Sequence, residues 1–221
     1  MYDRYPRDAN TMVEDQIADR DIVDAKVIAA MRKVPRHLFV PPKYRDAAYT
    51  DQPLPIGFNQ TISQPYVVAF MTQVLGLGKD ARVLEIGAGC GYQTAILAEI
   101  AREVFAVEII ADLAQKAQSN LTALGYTNFQ LKVDDGRDGW PDRAPFSHIL
   151  VAAASENIPS ALIDQLASGG RMIIPVGHAR WDQNLVLVTR KKNGIQKEKI
   201  LPVRFVPLVS GPKRNKSSDR K

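Results

Sequence analysis

Three glycines, Gly87, Gly89 and Gly91, punctuate the segment Val83-Leu-Glu-Ile-Gly-Ala-Gly-Cys-Gly-Tyr92, between an apolar run fit for a buried strand and a stretch fit for a helix. Glycine at a strand-to-helix turn lets backbone approach a ligand closely. A dinucleotide fingerprint needs glycines at the first, third and sixth positions of the loop. Here the sixth position is Tyr92 and the third glycine arrives one residue early, at Gly91, which argues against NAD or FAD. Glu108 follows about twenty positions after Gly87, where a carboxylate, able to accept two donors at once, can hold both hydroxyls of a ribose. Asp135-Gly136 follows a third strand-like run, where a side chain can meet an adenine amine. Taken singly, Glu108 or Asp135 is equally well a helix cap or a solvated loop acid. As a set with the glycines they read as one adenosine site at the carboxyl ends of strands.

The elements that must position these residues fall into two parts. Residues 11–75 carry helical periodicity without strong strands, with Met12, Ile17, Ile22, Val23, Val27, Ile28 and Met31 forming apolar stripes on short helices. Asp21 is placed to cap the second of these, and Pro35 to end it. The stretch from Tyr49 to Pro65 holds three prolines, one glycine and scattered polar residues, and predicts no regular element. Pro65 suits the first turn of a helix to about Leu75, with Ser63 near its N-cap.

From Ala81 the rhythm alternates between strand and helix. Strands are predicted at 82–86, 104–107, 129–133, 148–152 and 172–176, and helices at 92–101, 111–124 (with Gly125 as C-cap) and 159–166. Two last strands, 184–189 and roughly 198–206, are joined by the turn-like Lys192-Asn-Gly194 and predict an antiparallel edge. The fold class is therefore α/β: a doubly wound, mostly parallel seven-stranded Rossmann-like sheet with an N-terminal helical extension. The expected organisation is one structural domain overall. It comprises residues 1–78 as a helical segment and active-site loop, 79–211 as the Rossmann-like core, and 212–221 as a basic flexible tail.

Composition narrows the function classes. At 221 residues, 45% of them hydrophobic and 24% charged, the chain can bury a real core. No apolar run reaches the roughly 18 residues of a membrane helix, and the N-terminus carries no secretory pattern. A single cysteine, Cys90, excludes an intramolecular disulfide and suits a reducing, cytoplasmic setting. The net charge of +5 concentrates in Lys/Arg runs near the C-terminus, which read better as solvated surface than as a nucleic-acid arm. His37, His148 and His178 have no spacing suggestive of a metal site or triad, and each reads as structural.

The glycine loop with Glu85 at its head resembles motif I of the class I S-adenosylmethionine methyltransferases, E/D-x-G-x-G-x-G. The wider sequence resembles the protein-L-isoaspartate O-methyltransferases in their bacterial form, nearly end to end. The matching residues include Met12-Val-Glu-Asp-Gln-Ile17, Val34-Pro-Arg-His-Leu-Phe-Val40 and Ala48-Tyr-Thr-Asp-Gln-Pro-Leu-Pro-Ile-Gly57. They continue through Gln60-Thr-Ile-Ser-Gln-Pro-Tyr66, Asp134-Asp-Gly-Arg137, Ala161-Leu-Ile-Asp-Gln-Leu166, Gly169-Gly-Arg-Met-Ile-Ile-Pro-Val-Gly177 and Val203-Arg-Phe-Val-Pro-Leu208. The glycine loop is common to all class I enzymes, whereas Gln60-Thr-Ile-Ser-Gln-Pro65 is specific to this family. Asn59 is a departure, because bacterial members commonly carry glycine there.

The resemblance implies a repair enzyme that methylates the free α-carboxylate of isoaspartyl residues in damaged peptides and proteins, so that a succinimide reforms and can open to aspartate. It implies S-adenosyl-L-methionine as cofactor and S-adenosyl-L-homocysteine as product. Glu85, Gly87, Ala88, Gly89, Gly91, Glu108, Ile109, Asp135 and Gly136 then fall on the cofactor side, and Asn59, Thr61 and Ser63 on the substrate side. Ser63 matches the family's catalytic-site serine; its plain alternative is the helix cap before Pro65. Residues 56–59 would help cover the cofactor and 206–210 would border the site. No metal, membrane or nucleic acid is implied.

The fourth strand ends Val151-Ala-Ala-Ala-Ser155 and lacks the Asp/Asn-Pro-Pro-aromatic grip of amino-methylating relatives, which speaks against the rival reading of an RNA methyltransferase. No obvious general base is present, and a carboxylate substrate, with a pKa of about 4, needs none at neutral pH. A second rival, a cofactor-binding sensor without catalysis, would be marked by loss of Ser63 or the glycines, and all are present.

Overall fold

A computed structural model of the chain describes residues 5–178 and 182–211. The expected basic tail at 212–221 lies outside the described residues. Nine strands and six α-helices occur in the described residues. The seven-stranded sheet contains β3 (Arg82–Ile86), β4 (Glu103–Glu108), β5 (Phe129–Val133), β6 (Phe146–Val151), β7 (Leu166–Val176), β8 (Gln183–Lys191) and β9 (Gly194–Val203). Its spatial order is β5-β4-β3-β6-β7-β8-β9. The first five strands pair in parallel, and β8 runs antiparallel to both β7 and β9. The predicted sheet and its antiparallel edge are thus present.

Apolar residues fill both faces of this sheet. On one face Val83, Val104, Leu150, Ile173 and Leu185 join a cluster with the helices α1 (Tyr5–Val13), α2 (Ala25–Lys33), α3 (Pro65–Leu75), α4 (Tyr92–Ile100) and α5 (Ala111–Ala123). On the other, Leu84, Ile86, Phe105, Val107, Ile149 and Ile174 pack with Trp140 and with Leu162 of α6 (Ser160–Asp164). Helix α4 is buried on almost every side. It is sandwiched between the sheet and the N-terminal helices, which explains why its sequence is apolar all round.

Four local expectations need correction. The stretch expected to be irregular contains a hairpin, β1 (Leu54–Gly57) against β2 (Gln60–Ile62). Leu54 and Ile56 turn inward while Pro55 and Gly57 face out, and a two-stranded ribbon has free edges on which a proline is tolerated. Phe58 and Asn59 close it with φ of 53° and 56°. Both residues lie in the left-handed region, which Asn tolerates better than most residues other than glycine, so the departure at Asn59 is compatible with the local geometry.

Second, the N-cap of α2 is Asp24, whose carboxylate accepts the Lys26 N–H at 2.9 Å; Asp21 instead accepts the Tyr66 hydroxyl at 2.8 Å. Val23 correspondingly lies before the helix and is 82% exposed instead of joining the apolar stripe. Third, the last strand stops at Val203. The amide of Phe205 turns to the Gln183 side chain (2.6 Å), and residues 206–208 bridge to Ala154 at the end of β6. Fourth, α3 begins at Pro65 as expected, but Gln64 occupies the N-cap position without a side-chain bond, and the Ser63 hydroxyl caps nothing.

If Asp24 is the cap, Asp24→Ala lowers the free energy of unfolding by about 1 kcal/mol in urea denaturation. Asp21→Ala, which loses one exposed hydrogen bond, costs less than half of that. Equal losses from the two variants would contradict the assignment.

Candidate active site

Strand β3 has β4 on one side and β6 on the other, so the chain leaves the carboxyl ends of β3 and β6 in opposite directions. Open α/β sheets bind ligands at this reversal point. A cleft of about 890 Å3, its mouth included, lies there. Its base is formed by Ile86, Gly87, Ala88 and Gly89 after β3, residues 107–110 at the end of β4, Gly136 after β5, and Ala152 and Ala153 after β6. Ile56 of β1, residues 60–63 and residues 206–209 cover it, and Val68, Met71, Tyr92 and Gln93 close the rear.

The glycines divide into two roles. Gly87 (φ 87°) and Gly89 (φ 55°) line the cleft, and a Cβ on Gly89 would stand 3.2 Å from the Ile56 side chain. Gly91 (φ 89°) does not line it. A Cβ there would meet Ala117 and Leu121 of α5 at 3.2–3.3 Å, so this glycine serves helix packing. Gly136 lines the cleft and is held to glycine by Ile86, whose Cγ2 an added Cβ would overlap.

Among the described residues Glu108 is the only charged side chain on the cleft lining, and it is 5% exposed. Its Oε2 accepts the Gly89 N–H at 2.8 Å and its Oε1 accepts the Ile110 N–H at 3.0 Å. One carboxylate therefore pins the glycine loop to the end of β4. A carboxylate has about four acceptor positions, so capacity for two more donors remains, as a ribose diol would require. Glycine backbone, an acid with spare acceptor capacity and apolar walls from Ile86, Ile109 and Leu208 fit an adenosine-bearing cofactor.

Asp135 and Glu85 take positions that the sequence did not foretell. Asp135 is off the lining. Its oxygens accept from the Arg137 side chain (2.8–3.3 Å), the Arg137 N–H (3.0 Å) and the Gly211 N–H (3.1 Å), and the bond to Arg137 lowers its pKa. A carboxylate so occupied has little left for an adenine amine. Glu85 is wholly buried beneath the loop and also absent from the lining. Strand alternation turns it to the same face as Val83, toward α4, where neither of its oxygens completes a hydrogen bond. Burial pushes its pKa up to about 8, the nearby Thr94 hydroxyl opposes the rise, and the charge of Glu108 adds to it. The Thr94 hydroxyl is itself unpartnered, so burial dominates.

On the substrate side, Thr61 and Ser63 line the cleft, while Asn59 sits away from it in the hairpin turn. A second groove, lined by Arg20, Pro53, Gln64, Tyr66, Val67 and residues 201–206, meets the cleft at Thr61, Ser63, Ala152 and Val206. Asp51 braces this junction by accepting from the Gln64 side chain (2.7 Å), the Tyr66 N–H (3.3 Å) and Arg20 (3.0 Å). Sequence reasoning gave no role to Asp51, to the α3 residues Val68 and Met71, or to Gln93. Asp51, Val68 and Met71 lie outside the glycine loop along the chain, and Gln93, just inside the helix the loop opens, is a residue type that by itself marks no ligand. Cys90 is a buried thiol whose pKa burial raises to about 11, so it is a packing residue and a poor nucleophile. None of the three histidines lines either groove. Among the described residues no cluster of His, Cys, Asp and Glu could hold a metal ion, and no helix is long and apolar enough to cross a membrane.

The position of Glu85 has a pH signature. The folded state keeps a proton that the unfolded chain releases near pH 4.5, so stability is lost as pH rises from there to about 8. Glu85→Gln removes that loss. Its advantage over the parent in urea denaturation grows from about pH 5 to about pH 8 and levels off beyond. A difference independent of pH would show the carboxyl to be ionised throughout.

Comparison with known proteins agrees with this geometry. Residues 7–213 match the family described as Protein-L-isoaspartate(D-aspartate) O-methyltransferase (PCMT). A protein-L-isoaspartate O-methyltransferase of Opitutus terrae is 53% identical over 198 residues, covering 90% of this chain and 85% of that one. One from Gloeobacter violaceus is 52% identical, covering 90% and 97%. Among solved structures, a protein-L-isoaspartate O-methyltransferase superimposes with a TM-score of 0.81 at 26% identity, covering 93% of this chain and 66% of that one. A Plasmodium falciparum protein described as a beta-aspartate methyltransferase, in complex with S-adenosyl-L-homocysteine, gives a TM-score of 0.79 at 26% identity, covering 92% and 99%. The chain belongs to the protein-L-isoaspartate(D-aspartate) O-methyltransferase family.

Proposed function

We propose that this chain transfers a methyl group from S-adenosyl-L-methionine to the free α-carboxylate of L-isoaspartyl residues in damaged peptides and proteins. S-adenosyl-L-homocysteine is released, and the product ester can close to a succinimide with loss of methanol, which water then reopens as aspartyl. One observation beyond family membership carries this reading: two grooves, one suited to adenosine and one open to a polypeptide, share a short wall at Thr61, Ser63, Ala152 and Val206.

The residues divide the work as follows. Backbone at Gly87, Ala88 and Gly89, with Ile109 and Gly136, cradles the cofactor, and Glu108 takes its ribose hydroxyls. Glu85, Gly91 and Asp135 support that cradle from behind: Glu85 beneath the loop, Gly91 by letting α4 and α5 approach, Asp135 by tethering Gly211. When bound, S-adenosyl-L-methionine supplies a methyl group already activated by a positive sulfur. The protein's own task is to orient an anionic nucleophile and exclude water. The Ser63 Oγ makes no hydrogen bond among the described residues and lines both grooves, so its hydroxyl is free to donate to one carboxylate oxygen and direct the other. Thr61 stands beside it on the shared wall, and Asn59 acts at one remove by closing the turn that carries them.

Polypeptide is the partner, without nucleic acid or membrane. In support, the charged group on the cleft lining is acidic, and the outer groove carries two cations among the described residues, Arg20, already paired with Asp51, and Arg204, too few to track a phosphate backbone. A cytoplasmic site of action rests on the free, buried Cys90, which needs no oxidising compartment.

Ser63→Ala tests the assignment. One positioning hydrogen bond to a charged group is worth about 1.5–3 kcal/mol, so kcat on an isoaspartyl peptide falls roughly ten- to a few-hundredfold while affinity for S-adenosyl-L-homocysteine stays constant. Mass spectrometry of the parent during turnover finds no methylated Ser63. Full activity in the alanine variant, or a methyl-serine intermediate, would refute the role.

A further inference from the structure

Arg36, in Val34-Pro-Arg-His-Leu-Phe-Val40, has no exposed surface, and none of the roles above uses it. Its guanidinium works as a fork. Nε donates to the Ala48 carbonyl at 2.8 Å and Nη2 donates to the Ser63 carbonyl at 2.7 Å. The guanidinium carbon lies 4.8 Å from the centre of the Tyr92 ring, and Nη1 is buried without a partner. No carboxylate pairs with it among the described residues; the ionisable groups around it are Tyr92, Cys90 and Tyr49.

A buried cation without a counter-ion is costly to a fold. A staple between two carbonyls needs only neutral donors, so the tie to Ala48 and Ser63 does not by itself explain the charge. The neighbours do. Ser63, Tyr92 and Cys90 all line the cleft, which places an uncompensated positive charge immediately behind the wall where a carboxylate would be methylated.

We propose that Arg36 is a positioning residue for methyl transfer. Its fork fixes the Ser63 backbone, and its charge favours a substrate that enters as an anion. The proposal rests on the reading of Ser63 given above. Ser63 lies between the end of β2 and the start of α3. Asp51 holds the next residues, Gln64 and Tyr66, and Arg36 holds Ser63 itself through its carbonyl. With the backbone fixed on both sides, the serine hydroxyl keeps only its own side-chain rotation. Loss of the fork frees the carbonyl without touching Gly87, Ala88, Gly89, Glu108, Ile109 or Gly136, the residues assigned above to the cofactor.

The test compares the parent with Arg36→Lys, which keeps the charge but not the fork, Arg36→Met, which keeps neither, and Ser63→Ala alone and combined with Arg36→Lys. Affinity for S-adenosyl-L-homocysteine and both kcat and KM for an isoaspartyl peptide are measured on folded protein. In Arg36→Lys, kcat falls about ten- to a hundredfold with KM little changed, a loss of the size that misplacement of a reacting group produces. In Arg36→Met, KM rises as well. Cofactor affinity holds throughout. On the Ser63→Ala background the lysine substitution costs almost nothing further, because the group it misplaces is gone.

Equal fold-losses on both backgrounds, or an unchanged kcat in folded Arg36→Lys, would overturn the proposal. Failure of both single variants to fold would also overturn it, making Arg36 a folding residue. A fully active Ser63→Ala variant or an inactive parent would instead remove the Ser63 reading, and this proposal with it.

Discussion

The site depends on one topological constraint, the placement of β3 between β4 and β6. Chain that leaves β3 turns one way into α4, while chain that leaves β6 turns the other way, and a gap opens above Gly87 and Ala152, which themselves stand side by side at its base. A gap at the carboxyl ends of strands also gathers the inward-facing amides of the loops that border it. Glu108 converts this gap into a defined shape. Its carboxylate bonds to Gly89 and Ile110 make two loops from different strands move as one. The β1–β2 hairpin and residues 206–211 then act as walls laid on that base, the first through Ile56 against Gly89, the second through Ala154 and Asp135.

The same region concentrates the chain's costly features. Arg36 and Glu85 are ionisable groups of opposite kind, both wholly buried and both left with polar atoms unpartnered. Phe58 holds a left-handed backbone that bulky residues avoid. Rules that hold elsewhere in the fold are broken here, as is common at functional sites. Away from the site several element ends are satisfied locally: Asp24 caps α2, Gly76 ends α3 with φ of 66°, and Arg190 satisfies three carbonyls between α6 and the start of β7.

Much of this was legible in the sequence, for physical reasons that differ from residue to residue. Strand β5 was bounded at 129–133 because an apolar-alternating run sits between a glycine-terminated helix and an acidic turn. Gly87, Gly89 and Glu108 were placed at the cleft because strand ends and loop spacing determine backbone position. The hairpin was hidden because its turn is made by Phe-Asn, not by Asn-Gly, and because prolines conceal strands that have free edges. Residue type alone could not tell where a side chain points. Glu85 faces the core because strand alternation puts it on the inner face, and Asp135 is drawn away by Arg137 two residues on. Arg36 was invisible in principle, since its partners Ala48 and Ser63 contribute carbonyls, which leave no mark on a sequence.

The proposed function requires the outer groove to present an isoaspartyl carboxylate, and no ordinary one, to the cofactor at Ser63. A site shaped to hydrogen-bond one arrangement of polar groups leaves them unpaired when a different arrangement enters, which can cost several powers of ten in rate. The most direct measurement gives the protein labelled S-adenosyl-L-methionine and two peptides of one sequence, one with L-isoaspartyl and one with L-aspartyl at the same position. Label enters the isoaspartyl peptide with kcat/KM greater by at least about a thousandfold. Comparable labelling of the two peptides would contradict it.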